Sequence, residues 1–475
     1  MMHENIEKPK RAIVAAVQLP NVSDIELDAS LSELRQLAKT LGYEVVGRFT
    51  QKRARFDTAA YFGVGKRQEM RRFVRNEFDP EHGDPEHGQD YDPASDGAAE
   101  ETLQSQAEAA TLRADIILVD HEISPMQARN LEKEIGCDVM DRTMVILEIF
   151  HRHARSRAAI AQVEIVRLSY MAPRLREAAK AAGPQGRQRS GVGGRGGGES
   201  LGETDRRKVR DRIAELQKEL DAMDIERRTQ RARRQERQGL ARVALVGYTN
   251  AGKSTLMRAL TASEVLVADK LFATLDTTVR ALHPESVPRV LLSDTVGFIK
   301  NLPHGLVASF KSTLDEALEA SLLLHVVDAS DPGFERQLAV TEKVLDEIGA
   351  QAVPRLLVFN KIDQIGDAKI EDAKIGEAKN QADYEAELQS RHPGSIVISA
   401  RRAADIQKMR EAIIAFFQAS LIEDDIFLPW SEQKLRGEIF SSCTVLNEQA
   451  DDEGAILRIR GEAETVKRLR ERFNR

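Results

Sequence analysis

Hydrophobic positions follow two rhythms along this chain, unbroken apolar runs and leucines three or four residues apart, and their succession predicts its elements. Residues 11–19, RAIVAAVQL, predict a buried strand. Leu27, Leu31, Leu34, Leu37 and Leu41 then share one helical face before Gly42, and an extended segment follows. ADIILVD at 114–120 predicts another strand, PMQARNLEKEIG a helix and CDVMD a short strand, so residues 1–141 read as a parallel α/β domain. Helix-forming sequence runs from Arg142 to about Leu175, with Pro173 as its predicted end. The glycines and arginines of 183–203 leave nothing to pack and predict a mobile loop. Beyond it Val209, Ile213, Leu216, Leu220 and Met223 step by four and three, a stripe that calls for a partner helix. Residues 142–240 therefore read as a helical hairpin with the glycine loop at its tip. At Ala241 the pattern becomes strand, glycine loop, helix, and further apolar runs at 289–295, 321–329, 355–360 and 395–400 predict a doubly wound sheet over 241–420. Residues 421–475 predict a small final α/β unit, and the near-repeat at 366–379 an exposed helical insertion.

Composition adds bounds to this picture. The 475 residues suggest about three domains at roughly 150 residues each. A mean hydropathy of -0.40 and the lack of any 18-residue apolar run exclude a membrane-spanning helix. Cys137 and Cys443 form no CxxC, which argues against a disulfide framework and fits a cytoplasmic location. The opening MMHENIEKPKR lacks the apolar core of a secretory signal. The net charge of -7 conceals an asymmetry: residues 77–101 hold ten acidic residues and no Lys or Arg, so the remainder of the chain carries +3. That segment, within an insertion spanning 77–106, repeats DPEHG and is too poor in apolar residues to order itself, so it reads as disordered. His82 and His87 there would hold a metal only weakly.

The chemistry lies after residue 241. Gly247, Tyr248, Thr249, Asn250, Ala251, Gly252, Lys253 and Ser254, continued by Thr255, fit GxxxxGK[ST] between a strand and a helix. In such a loop backbone N–H groups wrap phosphates, the lysine neutralises their oxygens and the serine hydroxyl binds Mg2+. Asp294, Thr295, Val296 and Gly297 end a later strand, where the carboxylate can reach the metal through water and the glycine amide the γ-phosphate. Asn360, Lys361, Ile362 and Asp363 end the next, and Ser399, Ala400 and Arg401 another. The Asp363 carboxylate can accept from guanine N1–H and the 2-amino group, and the Ala400 amide can donate to O6; adenine offers Asp363 neither donor. Between these motifs Phe272, Ala273, Thr274, Leu275 and Asp276 offer Thr274 as a switch threonine that closes on magnesium, with Thr277 and Thr278 as rivals. The expected catalytic set is Lys253, Thr274 and Gly297, and the expected metal ligands are Ser254 and Thr274. Phe298 stands where many small GTPases carry a water-orienting glutamine, so basal hydrolysis should be slow.

GYTNAGKSTL, FATLD, LLSDTVGFIKNLPHGLVASFKSTLDEA and NKID, together with the glycine-rich loop in a helical region, resemble the HflX family of translation-associated GTPases. Tyr61 to Lys66 and the stretch Asp141 to Phe150 resemble its N-terminal domain. The resemblance implies binding to the large (50S) ribosomal subunit and its rRNA, dissociation of stalled ribosomes, and GTP hydrolysis that resets the factor. FATLDTT departs from the family's FATLDPT, and the insertions at 77–106 and 366–379 are further departures. Asn250 resembles the asparagine of potassium-stimulated GTPases of the TrmE type, which makes K+ stimulation an expectation; alternatively it only shapes the loop. Arg187, Arg189, Arg195, Arg206, Arg207, Lys208, Arg210 and Arg212 around the glycine loop, and Arg227 to Arg237 after it, suit an RNA backbone. A monomer is expected. Two other functions remain open: a nucleotide-controlled RNA-binding switch with incidental hydrolysis, and an NTP-driven RNA-remodelling factor.

Overall fold

The computed structural model describes residues 9–76, 113–181, 201–235, 241–262, 271–272, 278–300, 316–365, 381–419 and 421–473. The acidic insertion, the 366–379 insertion and the glycine loop up to residue 200 lie outside them. The described residues fall into two units, one up to Glu219 and one from Leu220 onward.

In the first unit, β1 (Arg11–Gln18), β2 (Glu44–Lys52), β3 (Ile116–Val119) and β4 (Asp138–Asp141) form an all-parallel sheet in the order β2-β1-β3-β4. Both faces of β1 are covered, which is why it reads as a continuous apolar run. Helix Asp24–Thr40 buries Leu27, Leu31, Leu34 and Leu37 and opens on a capping box between Ser23 and Glu26. Helix Pro125–Ile135 starts on a second box, Ser124 with Gln127, and ends at left-handed Gly136. Helix Arg142–His153 buries Met144, Val145, Ile146, Leu147, Ile149 and Phe150. Asp141 both ends β4 and caps this helix. Helix Arg157–Ala181 passes through Pro173 instead of stopping there. In helix Leu201–Gln235 the predicted stripe is the covered face: Leu216 and Leu220 are buried, while their flanking charges are exposed.

In the second unit, β5 (Ala241–Gly247), β6 (Thr278–Ala281), β7 (Val290–Asp294), β8 (Leu322–Asp328), β9 (Arg355–Asn360) and β10 (Ile396–Val397) form a sheet in the order β10-β9-β8-β5-β7-β6. All pairs are parallel except β6 with β7. Helices Lys253–Thr261 and Ala403–Ala419 bury Leu256, Met257, Leu260, Met409, Ile413 and Phe417 in a core with Val243, Leu245, Leu322 and Leu324. Phe334, Tyr384 and Leu388 join Val327, Phe359 and Val397 in another. β6 was not expected; its four residues TVRA form a largely uncovered edge strand with no apolar signal. A separate antiparallel sheet, β11 (Leu421–Pro429), β12 (Thr444–Ala450) and β13 (Gly454–Glu462) in the order β11-β13-β12, packs with helix Ala463–Phe473 around Ile426, Leu428, Leu457, Ile459, Val466 and Leu469. Among the described residues no helix is long and apolar enough to cross a membrane.

Candidate functional site at the carboxyl ends of the central strands

Because β5, β7, β8, β9 and β10 run parallel, the predicted motifs emerge on one edge of the sheet, the usual binding edge of an open α/β fold. The loop leaving β5 tolerates no side chain at two glycines. A Cβ on Gly247 would lie 2.1 Å from the Val326 carbonyl oxygen, and one on Gly252 2.2 Å from Asn360 Nδ2. Gly252 is also left-handed, at φ +94°, where it opens helix Lys253–Thr261. Asn250 takes φ +60°, a conformation its short polar side chain tolerates.

Lys253 turns back into this loop. Its ammonium donates to the carbonyls of Gly247 at 3.0 Å and Tyr248 at 2.7 Å. It is 6% exposed, and burial pushes its pKa down from the usual lysine value to about 8, although Asp294 opposes the shift. Ser254 Oγ donates to Asp294 Oδ2 at 2.6 Å, so the expected metal-binding hydroxyl and carboxylate meet directly. Asp294 is wholly buried. Thr255 follows half-buried on the same helix. The Thr249 hydroxyl is buried with no hydrogen-bond partner among the described residues. Two hard oxygen ligands side by side, at the mouth of a loop whose two glycines leave no room for a Cβ, fit a small divalent cation beside phosphate.

The segment after β7 is bound to the same loop. Phe298 N–H donates to the Gly247 carbonyl at 3.1 Å, Thr249 N–H to the Phe298 carbonyl at 2.7 Å, and Lys300 N–H to the Tyr248 hydroxyl at 2.8 Å. Gly297 is thereby pressed against Thr249 and Lys253. Phe298 itself is buried and has no polar group to offer a water molecule. Val296 is buried, and the Thr295 hydroxyl donates to the Leu245 carbonyl at 2.7 Å, so it braces β7 on β5 rather than facing a ligand.

On the other side, Asn360 Nδ2 donates to the Ala251 carbonyl at 2.9 Å and ties β9 to the phosphate loop. Asn360 Oδ1 accepts from Ala400 N–H at 2.9 Å. The amide expected to donate to a purine O6 is therefore already engaged with the β9 asparagine. The Arg401 amide is likewise engaged, with Ser399 Oγ at 3.2 Å, and Ser399 N–H donates to Asp405 Oδ2. Lys361, left-handed at φ +66°, pairs with Asp328 at 2.7 Å, and buried Ile362 leads into Asp363. Among the loop residues between the motifs, Leu271 and Phe272 are buried, with Phe272 at φ +58°. Ala273, Thr274, Leu275 and Asp276, and the rival Thr277, lie outside the described residues; Thr278 is committed to β6 opposite Asp294.

One buried group was missed in the sequence. His325 lies inside β8, its Nε2 without a partner among the described residues, and burial together with the Arg355 and Lys253 charges pushes its pKa down to about 3. A histidine lowered from about 6.5 binds more protons unfolded than folded, so the fold loses stability as pH falls below 6.5. Between pH 7 and pH 5 this one residue is expected to cost about 2 kcal/mol. Urea unfolding of H325L should lack that increment; an unchanged pH dependence would remove His325 as its source.

Comparison with known proteins gives the family. A family model described as a 50S ribosome-binding GTPase matches residues 242–361. A GTP-binding GTPase middle-region model matches 153–234, and an N-terminal model matches 28–80 and 94–151. The GTPase HflX of Gluconacetobacter diazotrophicus is 50% identical over 460 residues, 97% of this chain and 97% of the relative. That of Caldanaerobacter subterraneus subsp. tengcongensis is 36% identical over 470 residues, 99% of this chain and 95% of the relative. A solved GTP-binding protein from Sulfolobus solfataricus in complex with GDP covers 86% of this chain and 99% of its own, with 21% identity and a TM-score of 0.41. With one-half identity along nearly its whole length to such a relative, the chain belongs to the HflX family and is a GTPase.

Proposed function

We propose that this GTPase binds GTP and Mg2+ along the β5, β7, β9 and β10 edge and couples hydrolysis to engagement of the large ribosomal subunit, freeing ribosomes that have stalled. The direct bond between Ser254 and Asp294 beside the Lys253 ammonium carries the nucleotide half of this reading. Lys253 neutralises β- and γ-phosphate oxygens, and the Gly297 amide donates to the terminal phosphate. Ser254 and Asp294, already joined by a hydrogen bond, would hold the metal, with Asp294 orienting the Ser254 hydroxyl, and Asp363 would read the guanine edge. Magnesium, when bound, neutralises charge shared between the β- and γ-phosphates.

The ribosomal half rests on charge. Arg206, Arg207, Lys208, Arg210 and Arg212 are exposed in succession on helix Leu201–Gln235, where rRNA phosphates can meet them. The GTPase model that matches residues 242–361 is described as 50S ribosome-binding. Phe298 cannot orient water, so intrinsic turnover is slow and a bound partner must supply the polar group. GTPase rate measured against purified large subunits should rise by on the order of a hundredfold or more, since a group supplied in trans is worth that much in other GTPases. A rate that does not respond to large subunits would remove the ribosome as partner.

A further inference from the structure

A second buried polar cluster, remote in sequence from the nucleotide motifs, lies in the first unit at the ends of β3 and β4. Asp141 is wholly buried and accepts from four donors. The Ile123 amide reaches Oδ2 at 3.2 Å and the Met144 amide Oδ1 at 2.9 Å. The Tyr170 hydroxyl and Arg174 Nη2, the latter at 2.9 Å, both reach Oδ2. Burial and the Asp141 charge hold the Tyr170 pKa well above its ordinary value, so Tyr170 stays a donor. The Arg174 guanidinium also lies 5.3 Å from the Tyr170 ring centre.

The placement of these two donors matters more than their number. Tyr170 and Arg174 are one turn apart on helix Arg157–Ala181, and Pro173 lies between them. Proline within a helix removes the N–H that would bond the carbonyl four residues back, here that of Ser169, and weakens the helix at that turn. The clamp on Asp141 therefore straddles the weakest point of the helix. Beyond Pro173 the segment runs toward the glycine-rich loop and the basic helix that follows it in sequence. Beyond Pro173, Arg129 Nη1 also donates to the Glu177 carbonyl at 3.5 Å.

We propose that Asp141, through Arg174 and Tyr170, is a positioning device that holds helix Arg157–Ala181 in place across Pro173, and that engagement of large-subunit RNA depends on this helix being held. The inference rests on the ribosomal reading above for its target, though not for the clamp itself. Replacing Asp141 would strand buried donors; R174M leaves Asp141 three partners but removes the cation paired with this buried carboxylate, so its melting temperature is measured alongside and Y170F serves as the milder variant. In the full-length protein R174M should raise the large-subunit concentration giving half-maximal GTPase stimulation about tenfold, while maximal and intrinsic rates stay as in the wild type. Adding P173A to R174M restores the missing helical hydrogen bond and should recover most of that loss; a loss that simply tracks melting temperature across the wild type, R174M and the double variant would mark R174M as merely destabilising and overturn the proposal. Hydrogen exchange over residues 174–181 should rise in R174M and fall again in the double variant. An unchanged half-saturating concentration in R174M, or no rescue by P173A, overturns the proposal. If the wild type ignores large subunits altogether, the ribosomal reading fails, and the exchange arm alone decides whether the clamp exists: unchanged exchange in R174M would refute it.

Discussion

Asp363→Asn is expected to convert the protein from a guanine to a xanthine nucleotide binder. The Asp363 carboxylate offers two acceptors, which match the N1–H and 2-amino donors of guanine. An asparagine amide offers one acceptor and one donor, which match N1–H and the 2-oxo group of xanthine. Each charge-assisted bond contributes roughly 1.5 to 3 kcal/mol, and an amide N–H facing the 2-amino group is repulsive, so GDP affinity should fall by on the order of 10² to 10⁴. Asp363 is set up for such discrimination. It sits in the turn Ile362–Gln364, whose first residue is buried with its amide bonded to the Ile398 carbonyl, while Lys361 ahead of it is fixed by Asp328. Arg401, 4.0 Å from the Asp363 carboxylate, is largely exposed, so it contributes little either way. Competition against a fluorescent guanine nucleotide gives the measurement. If D363N keeps GDP affinity within about threefold, or gains nothing for XDP, Asp363 does not read the base. The engagement of the Ala400 amide with Asn360 adds weight to this residue, because it leaves fewer donors to report O6.

Much of the architecture was written in local patterns. β1, β5 and β8 are covered on both faces and so appear as unbroken apolar runs, and Leu27 to Leu37 mark their helix by spacing alone. Features decided by partners distant in sequence were not legible. β6 exists because its backbone pairs with β7, not because TVRA favours a strand. Helix Arg157–Ala181 survives Pro173 in a setting where Tyr170 and Arg174, on either side, are tied to a carboxylate some thirty residues away in sequence. The site divides in the same way. Gly247, Gly252, Lys253 and Ser254 are recognisable because the phosphate loop needs those residue types at that spacing, whatever surrounds them. The double hydrogen bond between Phe298 and the loop, the commitment of Thr295 to Leu245, and the pairing of Ala400 with Asn360 are three-dimensional facts. Backbone donors carry no residue identity, so their partners can be assigned only once strands are adjacent.

Nucleotide affinity is expected to fall as pH rises through 8, with Lys253 as the cause. In the free protein burial holds its pKa near 8, whereas a bound triphosphate restores an anionic partner and raises it again. Binding above pH 8 must therefore take up a proton, and GDP or GTP affinity should drop by up to tenfold for each further pH unit until the raised value is reached. Below pH 8 the ammonium is already charged and the profile should be flat. K253R, whose guanidinium stays protonated, should bind more weakly at pH 7 yet lose this inflection. The same burial predicts a gain elsewhere. A lysine lowered from its ordinary value to about 8 opposes folding at neutral pH by on the order of 3 kcal/mol, since the unfolded chain binds its proton more tightly. K253M removes that cost. The two carbonyls it deserts are not orphaned, because Gly247 O still accepts from Phe298 N–H and Tyr248 O from Ala251 N–H. Without nucleotide, K253M should unfold at higher temperature than the wild type, and added GDP with magnesium should stabilise it no further. A lower melting temperature in the nucleotide-free variant would mean that the lysine stabilises the loop through its hydrogen bonds by more than its burial costs. In that event the pH inflection should also be absent, since both results follow from one destabilised ammonium held in reserve for phosphate.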